Sequence, residues 1–289
     1  MTAALALCRF VHFLAAMLAC GGSLYLWLCA APRLRNALRP AMLAGLRLAA
    51  AATLVTALAW LLLEAAAMED DAWAAADPGA LAAVLTESAF GRAWIVRLGL
   101  AAAALAALGL RAPVWGARAL ASGVSLASLA LVDHAAMQGG AEGLLHRAND
   151  AVHLLAAGAW VGGLPPFVAS LRVSRDRELR RDATRAMIRF STFGHVAVAA
   201  VVLTGIVNVA LTVGWPLPPA TPYRALLDVK IALVAVMILL ALVNRYTLVP
   251  RLRASPAALA ALRAITIVNI GLGAAVVALV SVLGLLDPG

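Results

Sequence analysis

Long apolar runs alternate with short charged or proline-rich breaks along the chain, and this pattern predicts transmembrane helices. The runs are about 20 residues long, which is the length that crosses a hydrocarbon core of about 30 Å. Eight such runs cover residues 4–30, 42–66, 90–110, 113–133, 147–171, 188–213, 224–246 and 259–286. We therefore expect an all-α polytopic membrane protein with eight transmembrane helices. Composition agrees, because 64% of residues are hydrophobic and only 13% are charged, which no water-soluble fold could bury.

The connections between the runs alternate in charge, and this alternation predicts the orientation. Residues 31–47 contain four arginines and no acid, whereas residues 64–91 contain six acids and no base. Residues 172–189 are again basic, with seven arginines against three acids. Lys and Arg concentrate in cytoplasmic loops. We therefore expect the odd-numbered loops to be cytoplasmic and both termini to be periplasmic. The net charge of +9 then reflects these loops and does not indicate a nucleic-acid partner.

Two segments of the chain repeat at a constant offset. VHFLAA at 11–16 leads to Gly21-Gly22, and VHLLAA at 152–157 leads to Gly162-Gly163. Because four spans return the chain to the same side, two such halves would be parallel repeats. The halves would comprise residues 1–133 and 147–289, joined by an outer loop at 134–146. We expect the paired glycines to let helices approach closely, although a hinge or an ion passage is an alternative.

Four histidines fall near one surface of this arrangement and are candidate metal ligands. His12 lies in the first span, His134 closes the fourth, and His146 and His153 open the fifth. Imidazole suits copper, zinc, iron or nickel, while sulfur ligands favour Cu(I). Sulfur is available from Cys8, one helical turn before His12, and from Met137. Met68 ends the second span on the same side, and Asp150 lies in one helical stripe with His146 and His153.

Several polar residues have a structural interpretation beside the functional one. A single intramembrane histidine or methionine often only packs or hydrogen-bonds, and we expect His195 to be structural. Thr204, Asn208 and Asn269 could line a polar path or bond between helices. We also expect an Arg224–Asp228 pair. The cysteines are expected to be free thiols: Cys8, Cys20 and Cys29.

The residues of the second half resemble a known family. HLLAAGAWVGG at 153–163, preceded by DHA at 133–135, is similar to the core signature of the CopD/PcoD copper-resistance membrane proteins. The later segments with the same resemblance are RFS at 189–191, LTGIVN at 203–208, TPY at 221–223, Lys230 and NRY at 244–246. The resemblance implies an inner-membrane protein that acts with a periplasmic copper-binding protein of the CopC type. Many relatives carry a glutamate in the last span, where this chain has Asn269.

Two functions from different classes follow. The first is a copper-binding protein that takes Cu(I) or Cu(II) from the periplasmic side and passes it inward. His12 and His153 would then be symmetry mates that share one ion, with His134, Met137, His146 and Cys8 nearby. The second is a b-type cytochrome in which a pair of histidines ligates haem and electrons cross the membrane. The sequence contains no phosphate-binding loop, nucleophile elbow or zinc-protease motif, so we do not expect an enzyme.

Overall fold

The computed structural model describes residues 2–68, 71, 73, 76–112, 114–132, 138–214, 221–251 and 256–287. Regular structure in this part of the chain is entirely helical. The α-helices are α1 Thr2–Leu24, α2 Pro32–Met68, α3 Pro78–Glu87, α4 Ala89–Gly109, α5 Trp115–Ala127, α6 Gly140–Val173, α7 Arg180–Thr212, α8 Pro222–Val243 and α9 Pro256–Leu283. Short π and 3-10 turns extend three of them: Tyr25–Cys29, Ser128–Leu131, Asn244–Leu248 and Val249–Arg251.

Seven helical segments within the described residues are long and apolar enough to cross a membrane. They are Thr2–Cys29, Pro32–Met68, Ala89–Gly109, Gly140–Val173, Arg180–Thr212, Pro222–Arg251 and Ala257–Leu283. The chain is therefore an all-α polytopic membrane protein. The expected span at 113–133 corresponds to α5, which has only 13 residues and continues as the 3-10 turn Ser128–Leu131. Its α-helical part is shorter than the roughly 20 residues that a span requires.

Several helices begin earlier than the apolar pattern predicts. α2 starts at Pro32 and takes in Arg33, Arg35 and Arg39. α7 starts at Arg180 and takes in Arg180, Arg181 and Arg185. The pattern assigned all of these arginines to loops. α6 starts at Gly140, and residues 140–146 therefore belong to a helix and not to the expected outer loop. A hydrophobic pattern marks only the part of a helix that lies in lipid, and solvated helical ends escape it.

The helix α3 was not expected at all, because it lies in the acidic connection between the second and third spans. Its start has a clear local cause. Asp77 precedes the helix, and its carboxylate accepts hydrogen bonds from the backbone N–H of Gly79 at 3.0 Å and of Ala80 at 3.2 Å. Pro78 occupies the first helical position, where no N–H is needed.

The two halves of the chain meet along α1 and α6, whose contact is built on glycines. A Cβ atom at Gly21 would lie 2.6 Å from the carbonyl carbon of Gly162 and would overlap with the carbonyl oxygen of Gly158. A Cβ atom at Gly162 would in turn overlap with the carbonyl oxygen of Met17. The backbones are thus in direct contact, which confirms that the paired glycines permit close helix approach.

Candidate metal site in the two halves

His12 lies in the interior of the first half and is 2% exposed. Its Nδ1 lies 3.0 Å from the hydroxyl oxygen of Thr56 on α2. Its Nε2 lies 2.8 Å from a terminal guanidinium nitrogen of Arg97 on α4. The ring of His12 on α1 therefore hydrogen-bonds to two further helices of the same half, α2 and α4.

These partners fix the tautomer of His12. Guanidinium has no acceptor, so Arg97 must donate and Nε2 of His12 must accept. The hydroxyl of Thr56 donates to the carbonyl of Ala52 at 2.6 Å, which leaves its oxygen to accept from Nδ1–H. His12 is thus neutral and protonated at Nδ1, and both of its ring nitrogens are engaged.

Aromatic side chains enclose this group. The His12 ring packs edge-on against Trp60, with ring centroids 5.6 Å apart, and Trp60 packs against Trp94 at 5.0 Å. The guanidinium of Arg97 lies 4.6 Å from the ring centroid of Trp94, and that of Arg9 lies 4.7 Å from that of Trp60. Cation–π contacts of this kind stabilise buried guanidinium groups.

His153 makes the same first bond in the second half. Its Nδ1 lies 2.9 Å from the hydroxyl oxygen of Thr204 on α7, and that hydroxyl donates to the carbonyl of Ala200. His153 therefore also donates from Nδ1, and its Nε2 carries the lone pair. In the described part of the chain, no hydrogen bond engages this Nε2. The charge of Lys230 on α8 acts on the His153 ring, as the charge of Arg97 does on His12.

The correspondence continues one turn before each histidine. Cys8 donates from its thiol to the backbone carbonyl of Thr56 at 3.3 Å. Asn149 donates from its amide to the backbone carbonyl of Thr204 at 2.9 Å. Cys8 and Asn149 each precede their histidine by four residues. The two halves thus share a set of contacts, with a cysteine in the first half where the second has an amide.

The second half differs by a polar network where the first has aromatic rings. Asn149 donates to the side-chain oxygen of Asn208 at 2.6 Å, and Asn208 donates to the carboxylate of Asp150 at 2.9 Å. Asn208 lies four residues after Thr204, as Trp60 lies four residues after Thr56. The surroundings of His153 are therefore rich in oxygen and amide groups, and those of His12 are aromatic and cationic.

The other candidate ligands are placed as follows. His146 is buried near the start of α6 and its Nδ1 lies 2.9 Å from the side-chain oxygen of Gln138. The continuous helix α6 carries His146, Asp150 and His153, as their spacing predicts. Met68 is the last residue of α2 and is exposed. His134 and Met137 lie outside the described residues. Among the described residues, no three His, Cys, Asp or Glu side chains form a group that could hold a metal ion.

Two structural expectations from the sequence are met, and the position of Asn269 is defined. Arg224 and Asp228 form an ion pair at 2.9 Å. Cys8, Cys20 and Cys29 are free thiols. Asn269 is 2% exposed, and its amide lies 3.4 Å from the carbonyl of Met237 on α8.

Sequence reasoning missed the partners of the histidines. Thr56 and Arg97 were not candidates, although Arg97 belongs to a basic pair that opens the third span, as Arg224 and Lys230 open the seventh. This similarity between the third and seventh spans could have placed Arg97 and Lys230 at corresponding positions beside the two histidines.

Comparison with known proteins agrees with the resemblance. Residues 1–144 match the family model described as "Copper resistance protein D-like, N-terminal domain", and residues 184–283 match "Copper resistance protein D". The chain is 34% identical over 284 residues to the inner membrane protein YebZ of Escherichia coli (strain K12), covering 97% of each chain. It is also 34% identical over 175 residues to the copper resistance protein D of Pseudomonas syringae pv. tomato, covering 58% of this chain and 56% of the relative. No solved structure matches.

The fold and these matches define a polytopic helical membrane protein of the copper-resistance class. The chain belongs to the CopD family. The described residues contain seven apolar helices, and an inner-membrane relative matches over 97% of its length, so this chain is a multi-pass protein of the bacterial inner membrane.

Proposed function

We propose that this protein binds copper in its second half, through Nε2 of His153, and moves it from the periplasm toward the cytoplasm. The observation that carries the proposal is the hydrogen bond between His153 Nδ1 and Thr204, at 2.9 Å. It orients the ring and leaves the lone pair of Nε2 for a ligand bond. Histidines that bind metals commonly donate their other ring N–H to such a partner, which sets the tautomer.

The first half is the less suitable place for copper. Nε2 of His12 accepts from Arg97, so a copper ion would have to displace a buried guanidinium to reach it. We therefore assign His12 to the support of the fold. A copper site shared by His12 and His153 would require the hydrogen bond between His12 and Arg97 to break. Haem ligation by the same two histidines would require the same break.

Further ligands would come from the segment before His153. Nδ1 of His146 lies 2.9 Å from the side-chain oxygen of Gln138. His146 precedes His153 by seven residues, about two helical turns and roughly 10 Å along the axis. His134 and Met137 precede both in the chain. We propose that copper passes from these residues to His153, with the thioether of Met137 favouring Cu(I).

We also propose that the molecule has eight spans in two parallel halves. The eighth span would consist of α5 and its 3-10 extension. Support comes from the matching contacts of His12 with Thr56 and of His153 with Thr204. The charge alternation of the loops supports periplasmic termini. In that orientation the start of α6 faces the periplasm, where a copper-binding protein of the CopC type would deliver the ion.

Copper uptake by proteoliposomes tests the function. The wild type should accumulate copper from the side that carries the termini, and His153→Ala should abolish most of the uptake. His195→Ala is the matched control and should keep it, because His195 lies nine residues before Thr204 on α7 and its Nδ1 donates to the backbone carbonyl of Ser191 at 2.7 Å. The absorption spectrum of the same preparation is the second readout. An intense Soret band without copper uptake would support the cytochrome and contradict the proposal.

A further inference from the structure

A large cavity lies at the end of the second half that is distant from His153. It has a volume of about 1480 Å³, which exceeds the roughly 300–1,000 Å³ of a small-molecule pocket. α7 packs on α6 and α8 packs on α9, so the cavity lies between two helix pairs. Its size suits a molecule with long chains.

The walls of the cavity are apolar toward the middle of the helices. Trp160, Leu164 and Phe167 line it from α6, and Ile238 and Leu242 line it from α8. The outer faces of α7 and α8 beside it also expose large apolar side chains. The cavity wall and the lipid-facing surface beside it are therefore both apolar.

The opposite part of the cavity is strongly basic. Six arginines line it in the connection between α6 and α7, at the start of α7 and in the π turn after α8: Arg175, Arg177, Arg180, Arg181, Arg185 and Arg245. Of the described residues that line the cavity, none is acidic. Glu178, in the same segment, pairs instead with Arg33 at 2.9 Å. The positive end of the α7 dipole adds to this charge, since α7 begins at Arg180.

The positive charge of the cavity distinguishes between a copper cation and an anionic lipid headgroup as its occupant. A copper cation would be repelled by six guanidinium groups, so this cavity has the wrong sign for a copper passage. An anionic headgroup would be attracted, and arginine binds phosphate oxygens through paired N–H donors. Basic pockets between transmembrane helices bind acidic phospholipids in this way.

We infer that the cavity is a binding site for an acidic phospholipid. The phosphodiester would lie among Arg177, Arg181 and Arg185, and the acyl chains would extend along Phe167, Phe190 and Leu242. The inference is independent of the copper proposal, because it rests on different residues at the other end of the helices.

Native mass spectrometry of the delipidated full-length protein in detergent tests this inference. Phosphatidylglycerol should bind about tenfold more tightly than phosphatidylcholine with the same chains, and added salt should reduce the difference. Arg181→Gln/Arg185→Gln should remove the preference. Arg111→Gln/Arg263→Gln loses the same charge from exposed positions outside the cavity and should keep it. Equal loss in both pairs would overturn the inference.

Two further arms separate the lipid from a free anion. Gly194 lines the cavity and has open space around it, so Gly194→Leu should obstruct the chains and weaken phosphatidylglycerol binding with every arginine in place. Gly99→Leu, also in open space but outside the cavity, should not. Inorganic phosphate at millimolar concentration should fail to displace the lipid. Complete displacement by phosphate, or equal binding of phosphatidylcholine, would contradict a phospholipid site.

Discussion

The guanidinium of Arg97 lies 2.8 Å from Nε2 of His12, and this contact distinguishes two histidines that occupy matching positions in the repeated sequence segments, His12 and His153. Both rings donate from Nδ1 to a threonine of the neighbouring helix. Among the described residues, only His12 also accepts a hydrogen bond from an arginine at its Nε2. The same local framework therefore supports a saturated histidine in one half and a histidine with an available lone pair in the other.

His12→Ala should destabilise the protein without reducing its copper content. The substitution removes the acceptor of Arg97 and leaves a buried charge without that hydrogen bond, which costs about 1–3 kcal/mol. Thermal unfolding in detergent should show a lower midpoint. Val11→Ala, at the adjacent and partly exposed position, is the control and should change the midpoint little. A stable His12→Ala protein that has lost its copper would contradict the structural role of His12.

Thr204→Val should weaken copper binding although Thr204 is not a ligand. The substitution keeps the size of the side chain but removes the oxygen that accepts from Nδ1 of His153. Loss of such a supporting contact commonly lowers metal affinity about 10–100-fold. Copper titration should show this loss, and Thr204→Ser should restore affinity. Thr56→Val makes the same change beside His12. If it weakens copper binding equally, the two halves share the metal.

Gly162→Ala should impair folding of the helix pair α1–α6. A methyl group there would overlap with the carbonyl oxygen of Met17, so the backbones would have to separate. We expect a markedly lower yield of folded protein and a lower unfolding midpoint. Gly271→Ala adds the same methyl group where no atom lies within 4 Å, and it should behave like the wild type. Tolerance of Gly162→Ala would show that the helices do not meet as closely as described.

A reporter that is active only in the periplasm should be active when it is fused after residue 289. This follows from the arginine-rich odd-numbered connections, which favour the cytoplasmic side. A second fusion after Ser174, in the basic connection between α6 and α7, should report a cytoplasmic location. The reverse pattern of activities would invert the proposed direction of copper movement.

The fold was largely predictable because lipid imposes a simple rule on span length. The apolar runs located each of the seven membrane-length helices in the described residues, and the glycine pairs predicted the close approach that Gly21 and Gly162 make. The same rule failed at helix ends in water, where α2 continues to Pro32 and α6 to Gly140. It also failed for α3, whose start depends on the cap from Asp77.

The candidate site was less predictable, because its partners are distant in sequence. Spacing along one helix could align His146, Asp150 and His153, but it could not identify Thr56, which is 44 residues from His12, or Arg97, which is 85 residues away. A buried arginine beside a histidine changes the role of that histidine. Only the packing of α1, α2 and α4 reveals this contact.

Copper stoichiometry of three purified variants tests the central claim most directly. His153→Ala should lose the bound copper that the wild type holds, whereas His12→Ala should retain it at the same ratio and affinity. The double variant should match His153→Ala, because only one of the two histidines binds the metal. Copper content can be measured by metal analysis and binding by titration with Cu(I). Equal losses in the two single variants would contradict the account and would restore a site shared by both histidines.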